Sequence, residues 1–367
     1  MGKGGLLIRQ AAILVWGYLG AVIGAGFASG QEIMQFFVRY GDAGAMGALF
    51  SLVLFALCGG FLMHLAHSHK VSNYQDLLLI MGGSSISRVI DLGLACFLFL
   101  GISTMLSASG AVFHEHLHLP KNLGIATAYL AVLIALLAGK KGLVYSYNIL
   151  VPIKIVLLLI ISAYAAFHVP PVNPAVMTAF VHTPMKLDWL LAAFLYVAYN
   201  FALAMVVLVE YQSLTTPKKG IIGAVYGGLL LGILIIMMFL ALNRYLPVVF
   251  HYQVPMLFVA GQLSPAAKLV YSLVLWVGII TTAIANAYGI TQRVAHLIGI
   301  RYNLCLLCCL TLAVPVATQS FSSLVGHIYP AFGVLGLSIL AMVLYWGGKD
   351  IIGEIYYNIK NFRHREC

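Results

Sequence analysis

The sequence predicts an all-α membrane protein with ten transmembrane helices. Two observations carry that reading. Of 367 residues, 62% are hydrophobic and 8% charged, against roughly 45–50% apolar and about 25% charged in an ordinary soluble domain. The apolar stretches are also continuous over about 20 residues, the length a helix needs to cross a bilayer. They do not alternate at period two, as barrel strands would. With a mean hydropathy of +1.00 there is too little polar surface to cover a soluble core. A soluble enzyme, a secreted disulfide scaffold and a disordered chain are therefore excluded.

Taken in order, the spans fall at 8–38, 43–66, 87–113, 122–139, 143–167, 187–210, 219–242, 265–297, 302–318 and 321–346. Lys3 and Arg9 before an apolar run mimic a signal peptide, but the run continues into Gln31-Glu32-Ile33-Met34-Gln35-Phe36-Phe37, so it reads as a retained first span. Polar or Gly/Pro-rich joints separate the blocks at Gly82-Gly83-Ser84-Ser85, Thr215-Thr216-Pro217 and Gly347-Gly348. The longest loops are 168–186 and 243–264, and Val254-Pro255-Met256-Leu257-Phe258 in the second is apolar enough for a short interfacial or re-entrant helix. With the N-terminus inside, 14 Lys and Arg fall on the inner side and 5 on the outer, Lys154 lying within a span. That imbalance predicts both termini in the cytoplasm.

The net charge of +10 is spread between apolar blocks and forms no single patch, so no nucleic-acid partner is implied. The partners expected are the lipid bilayer and a small solute; oligomeric state is not readable. Cys305, Cys308 and Cys309 lack a second ligand pair at zinc spacing and read as buried small residues. His64, His67 and His69, and His114, His116 and His118, sit at span ends where histidine is comfortable. His327 with Tyr329 and Pro330 reads as a gate or pocket wall.

The informative positions are the polar ones inside the spans. Gly24-Ala25-Gly26-Phe27-Ala28-Ser29-Gly30-Gln31-Glu32 places three glycines and a serine in mid-span, which weakens the helix. Unwound backbone is tolerated at that depth only where protein, water or ligand satisfies it. Close packing on small residues is the alternative for Gly26 and Gly30. In span 6, Asn200 is costly unless bonded, and Tyr196, Tyr199 and Phe201 either wall a pocket or pack. Lys154 in span 5 lies too deep to snorkel with ease and must meet a polar cavity, carbonyls or an acid, or lose its proton. In span 8, Thr281 and Thr282 either bond back to the preceding turn or offer oxygens to a cation, with Asn286 on the same face.

The first half runs from Gly24 to Pro152, 128 residues apart, and the second from Asn200 to Pro330, 130 apart. Five spans per half invert the second half relative to the first. The chain thus divides into a first five-helix repeat at 1–168, a second, inverted repeat at 169–346, and a cytoplasmic C-terminal tail at 347–367.

Gly20-Ala21-Val22-Ile23-Gly24-Ala25-Gly26-Phe27-Ala28-Ser29-Gly30-Gln31-Glu32, with the ten-span layout, resembles the YkvI-type membrane proteins. These are grouped with the amino acid–polyamine–organocation superfamily and the LeuT-like fold. The resemblance implies a 5+5 inverted repeat of a bacterial plasma membrane, broken in helices 1 and 6, with a solute between them and helices 3 and 8 alongside. It implies that Gly24, Ala25, Gly26 and Ser29 meet a substrate carboxylate and that carbonyls around Tyr199 and Asn200 meet an amine. Tyr196, Phe201, Ser103, Thr104, Ser107 and Asn286 would serve as walls. For the coupling ion it implies either Na⁺ at Gly20, Ile23, Gly278, Thr281 and Thr282, or H⁺ on Lys154, and H⁺ is favoured because a lysine there repels Na⁺. Glu32 joins the ion-coupling set without a transferable role. A second sodium site is not expected, since Phe27 stands at its asparagine position.

The expected activity is ion-coupled secondary transport of a small amino acid or related amine/carboxylate solute by alternating access, with no other cofactor. The alternatives are a passive channel or facilitator, and a ligand sensor that moves nothing. No phosphate-binding loop or hydrolase motif supports an ATPase or an enzyme.

Overall fold

A computed structural model of the chain describes the backbone of residues 3–71, 73–138, 141–170 and 187–363, and the side chains of 11–71, 73–137, 151–170 and 187–353. Among the described residues the structure is helical, with no strand. The first span comprises α1 (Lys3–Val22), α2 (Ala25–Ser29) and α3 (Gln31–Phe36). Then follow α4 (Asp42–Ser68), α5 (Tyr74–His116), α6 (Lys121–Ala138), α7 (Lys141–His168), α8 (Asp188–Glu210), α9 (Pro217–Asn243), α10 (Pro255–Leu263), α11 (Pro265–Ile298), α12 (Tyr302–Ala317) and α13 (Phe321–Arg363). Seven described helices are long and apolar enough to cross a membrane, and three shorter apolar ones cover Ala11–Val22, Lys121–Leu137 and Tyr302–Ala317.

Local chemistry sets the ends. Asn73 accepts from Asp76 N at 2.8 Å and caps α5. Ser264 accepts from Ala267 N at 3.0 Å ahead of Pro265 and caps α11, which stops at a left-handed Gly299. Pro217 starts α9 at the expected joint. The expected short helix in the second long loop is α10.

Small residues bring the helices close, as they do where lipid supplies no hydrophobic drive. A Cβ on Gly228 of α9 would lie 2.5 Å from the Phe55 carbonyl carbon of α4, so any larger residue would force the two backbones apart. Across α5 and α11, Arg293 pairs with Asp91 at 3.1 Å and donates to Tyr74 Oη at 2.7 Å.

Two expectations are corrected. α8 is continuous through Tyr196, Tyr199, Asn200 and Phe201; Asn200 does not unwind it, because its Nδ2 donates to Tyr196 O one turn earlier at 3.1 Å. The expected joint at Gly82–Ser85 is present as a sharp kink: Gly83, at φ 74° and ψ 178°, is non-helical and divides α5 into two helical pieces. Gly347 and Gly348 do not interrupt the helix: α13 runs through them to Arg363, and Gly347 packs against Phe61 of α4, where a Cβ would meet Phe61 Cβ at 2.6 Å. The 168–186 loop lies largely outside the described residues, as do Lys140, Lys186, Arg365 and Cys367 and the side chains of Lys3, Arg9, Lys141, Lys360 and Arg363.

Candidate functional site

The site begins where the first span breaks. α1 stops at Val22, Ile23 and Gly24 are non-helical, and α2 is little more than one turn. A second bend follows at Gly30, whose φ of 83° is a conformation other residues adopt only with strain. Ser29 serves that bend and does not face the cavity: its Oγ donates to Gly26 O at 2.6 Å and accepts from Gln31 N at 3.1 Å. Tyr271 Oη of α11 donates to Ala28 O.

Freed carbonyls in a spanning segment need donors. Lys154 supplies one. It is buried, and its Nζ donates to Ile23 O at 2.9 Å. On the way it passes α11, where a Cβ on Gly278 would lie 3.4 Å from Lys154 Cδ. Thr281 and Thr282 beside it both donate to Gly278 O, at 3.0 and 2.8 Å, so these hydroxyls bond back to the preceding turn.

A cavity of about 900 Å³ lies against the break. Gly20, Ile23, Gly24, Ala25 and Gly26 form one side. Opposite are Tyr199, Asn200 and Leu203 of α8, and Phe97, Gly101 and Met105 of α5. Thr282, Ala285 and Asn286 of α11, Pro152 and Lys154 of α7, and Tyr329 of α13 complete it. The cavity extends along α1 to Trp16 and Ile13 and along α8 to Tyr211 and Leu214.

At its other end the chain closes over the break. Pro255 and Met256 of α10 press on Gly30, with Met256 Cγ 2.6 Å from a Cβ built there. The Glu115 carboxylate accepts from Gln253 N at 3.0 Å and Val254 N at 3.3 Å, just ahead of α10. Gln253 Oε1 accepts from Phe321 N at 2.6 Å, and Lys121 Nζ donates to the carbonyls of Thr318 and Gln319 at 2.9 and 2.8 Å.

Glu32 stands at the head of the cavity. It is 4% exposed, and Tyr199 Oη donates to its Oε2. Its Oε1 lies directly against Gly26, where a Cβ would collide with it and meet Tyr329 Oη at 3.0 Å. Rings surround it: the Tyr199 centroid is 5.1 Å from Tyr329, and Phe97 lies 5.7 Å from Tyr329 and 6.5 Å from Tyr199. Stacking on Phe332 at 4.1 Å fixes Phe97. Asp91 pairs with Arg293 and Glu115 lies 3.8 Å from the His116 ring, and Glu32 is in neither contact.

Several expected walls do not reach the cavity. Phe97, Gly101 and Met105 share one face of α5 at a spacing of four, which turns Ser103 away, and Thr104, though three residues from Gly101 on that side, does not line the cavity. Thr104 Oγ1 instead donates to Leu100 O at 2.9 Å, and Ser107 Oγ donates to Gln319 O at 2.6 Å. Tyr196 packs in the core against Phe37 at 4.8 Å and Phe36 at 5.3 Å, and Phe201 is wholly buried. Neither lines the cavity, nor do Gly278 and Thr281. With α8 wound, its carbonyls at Tyr199 and Asn200 are not an unwound amine site. His327 is exposed, with Ser323 O 2.7 Å from its Nδ1, while its neighbour Tyr329 lines the cavity.

Sequence reasoning missed Phe97, Gly101 and Met105, since nothing local separates a cavity-facing apolar residue from a lipid-facing one. The signal that was present is their one-turn spacing around a glycine.

No protein-family model matches the chain. Among solved structures the fold is similar to MhsT in complex with L-phenylalanine, with a TM-score of 0.62 at 16% identity over 91% of this chain and 88% of that one. It is similar to an Eremococcus coleocola manganese transporter, TM-score 0.61 at 13% identity over 94% and 80%. It also resembles inward-facing Mhp1, TM-score 0.57 at 13% identity over 92% and 75%. At these identities the likeness shows the fold, which is LeuT-like. Among sequences, the chain is 25% identical to YyaD of Bacillus subtilis (strain 168) over 332 residues, 89% of this chain and 94% of that protein. It is 32% identical to the membrane protein YkvI of the same organism over 338 residues, 91% of this chain and 95% of that one. A broken first span, a LeuT-like fold and this shared sequence together place the chain in the YkvI family of membrane proteins.

Proposed function

We propose that this protein is an ion-coupled secondary transporter that carries a small amino acid or a related amine/carboxylate solute by alternating access. The observation that carries the reading is the cavity at the break of the first span, with the Lys154 ammonium on the carbonyl that the break frees. A packed structural helix needs neither. The fold it shares with MhsT, the manganese transporter and Mhp1 supports the same reading.

On this reading the three pieces of the first span count as one crossing, and the ten crossings form a 5+5 inverted repeat. The N-terminus lies in the cytoplasm, and the cavity, which runs toward Trp16 and Tyr211, opens inward. The Glu115, Lys121 and α10 contacts close the outer side. H⁺ is the favoured coupling ion over Na⁺. A sodium ion between the break and α11 would need the Ile23 carbonyl and the threonine oxygens. Lys154 Nζ already bonds the first, and its positive charge opposes a second cation beside it. The proton and the solute each stabilise the same closed state, so each raises the other's affinity. Gly24, Ala25, Gly26, Tyr199, Asn200 and Asn286 are the substrate-facing residues in this scheme.

Purified protein in proteoliposomes tests it, with amino acids and amines screened under imposed proton or sodium gradients. Gradient-driven accumulation of a solute supports the proposal. Flux that only follows the solute's own gradient identifies a facilitator, and binding without any flux identifies a sensor.

A further inference from the structure

We infer that Glu32 and the rings around it form a receptor for a protonated amine, so that the solute is held by its ammonium group. The inference rests on reading the cavity as a solute site and adds the charge of the solute and the residue that selects it.

Glu32 faces the cavity from an almost wholly buried position. A carboxylate has about four acceptor positions, and this one meets the hydroxyl of Tyr199 and the side-chain amide of Asn200, both neutral donors. Buried carboxylates are stabilised by a cation, and among the described residues no ion pair supplies one. The cavity beside it is bounded by Tyr199, Tyr329 and Phe97, whose centroids lie 5.1–6.5 Å apart. A ring face turned to the cavity attracts an ammonium within about 6 Å of its centroid through its quadrupole. The carboxylate and Tyr329 Oη fill the space a side chain at Gly26 would need, and open space lies beside them at Gly24, where a Cβ would meet nothing within 4 Å. A carboxylate, aromatic walls and room at Gly24 suit an alkylammonium. An anionic solute would be repelled at this end, and a neutral one would leave the carboxylate unmatched. The basic group of the cavity, Lys154, is occupied elsewhere on Ile23 O, so the head of the cavity is acidic and the Lys154 flank is basic.

The first test needs no known substrate. In the full chain, with its native cysteines replaced by serine, Ala285→Cys puts a thiol on the cavity wall. Two reagents of like size are compared, trimethylammonioethyl and sulfonatoethyl methanethiosulfonate. The cationic reagent is expected to react faster, and adding Glu32→Gln should reduce that preference on the order of tenfold. Glu32→Asp should keep the preference in the same direction. An unchanged ratio with Gln at position 32 overturns the receptor. Met105→Cys gives the same measurement from the α5 wall should Ala285→Cys fail to fold.

A second arm separates this inference from the transport reading. 2-Phenylethylamine and 2-phenylethanol are offered to proteoliposomes of the native protein. An amine that is bound in a Glu32-dependent way but not carried refutes transport and leaves the receptor. Carriage of both compounds equally well refutes the receptor and leaves transport.

Discussion

Lys154→Ala is the substitution from which most follows. Lys154 lies 13 residues from the start of α7 and 14 from its end, about 20 Å from either by the helical rise of about 1.5 Å per residue. An ammonium there costs at least about 2.5–3.5 kcal/mol to insert. Its bond to Ile23 O, at 2.9 Å, offsets part of that cost. Alanine removes the ammonium and leaves a carbonyl without this donor, worth about 1–3 kcal/mol in the opposite sense. The two terms are of similar size, so the variant should fold with a modest change in Tm. Transport should change far more. One lysine carrying one proton per solute converts a one-unit pH step into about 1.4 kcal/mol, enough for about tenfold accumulation. In proteoliposomes with that step imposed, the native protein should approach this limit. Lys154→Ala should only equilibrate the solute, while exchange of labelled for unlabelled solute continues. Undiminished pH-driven accumulation by the variant, or sodium-driven accumulation by the native protein, would refute the assignment of the coupling ion to Lys154.

Three further outcomes are expected. Gly26→Ala should displace the Glu32 carboxylate and Tyr329 and weaken solute binding at least about tenfold, alongside an overpacking cost of about 1–3 kcal/mol read in a thermal melt. Gly30→Ala should also lower stability: a non-glycine residue at φ 83° costs about 1–2 kcal/mol, before the clash with Met256, and a thermal melt should show the loss even without ligand. Glu115→Ala removes the acceptor for Gln253 N and Val254 N. Hydrogen bonds to a charged group are worth about 1.5–3 kcal/mol each, so hydrogen exchange at residues 253–263 should accelerate at least about tenfold, and unchanged protection there would deny the latch its role.

Much of this architecture was readable from residue order. Helix positions followed from apolar length, because hydrocarbon demands it: α4, α6, α8, α9, α11 and α12 begin and end within two residues of the expected spans. The break at 24–30 followed from glycine content, and Lys154 from its depth. The failures share a cause. The resemblance implies a break at Asn200, and residue type implies one at Gly83 and at the Gly347-Gly348 pair. Whether a breaker acts depends on what its neighbours offer. Asn200 bonds its own helix and Gly347 lets α13 approach Phe61, whereas Gly83 does interrupt α5. Likewise Ser103 and Thr104 stand out by polarity, whereas the cavity wall on α5 is Phe97, Gly101 and Met105; Ser103 points elsewhere and the Thr104 hydroxyl is spent on Leu100 O.

The unbroken α8 changes what must bind the solute. An unwound helix offers carbonyls to a donor such as an amine; a wound one spends them on its own fourth-neighbour amides. Since α8 keeps its ladder through Tyr199 and Asn200, acceptors on that side of the cavity have to come from side chains. The group at hand is the Glu32 carboxylate, which α3 carries in from the far side of the Gly30 bend and Tyr199 holds in place. The break in the first span therefore does two jobs: at Ile23 it frees a carbonyl for Lys154, and at Gly30 it redirects the chain so that an acid enters the cavity. Straightening either bend would separate the acid from the lysine's side of the cavity. Gly30→Ala and Lys154→Ala should consequently impair coupled transport through different steps, the first by weakening solute affinity and the second by uncoupling a solute that still binds.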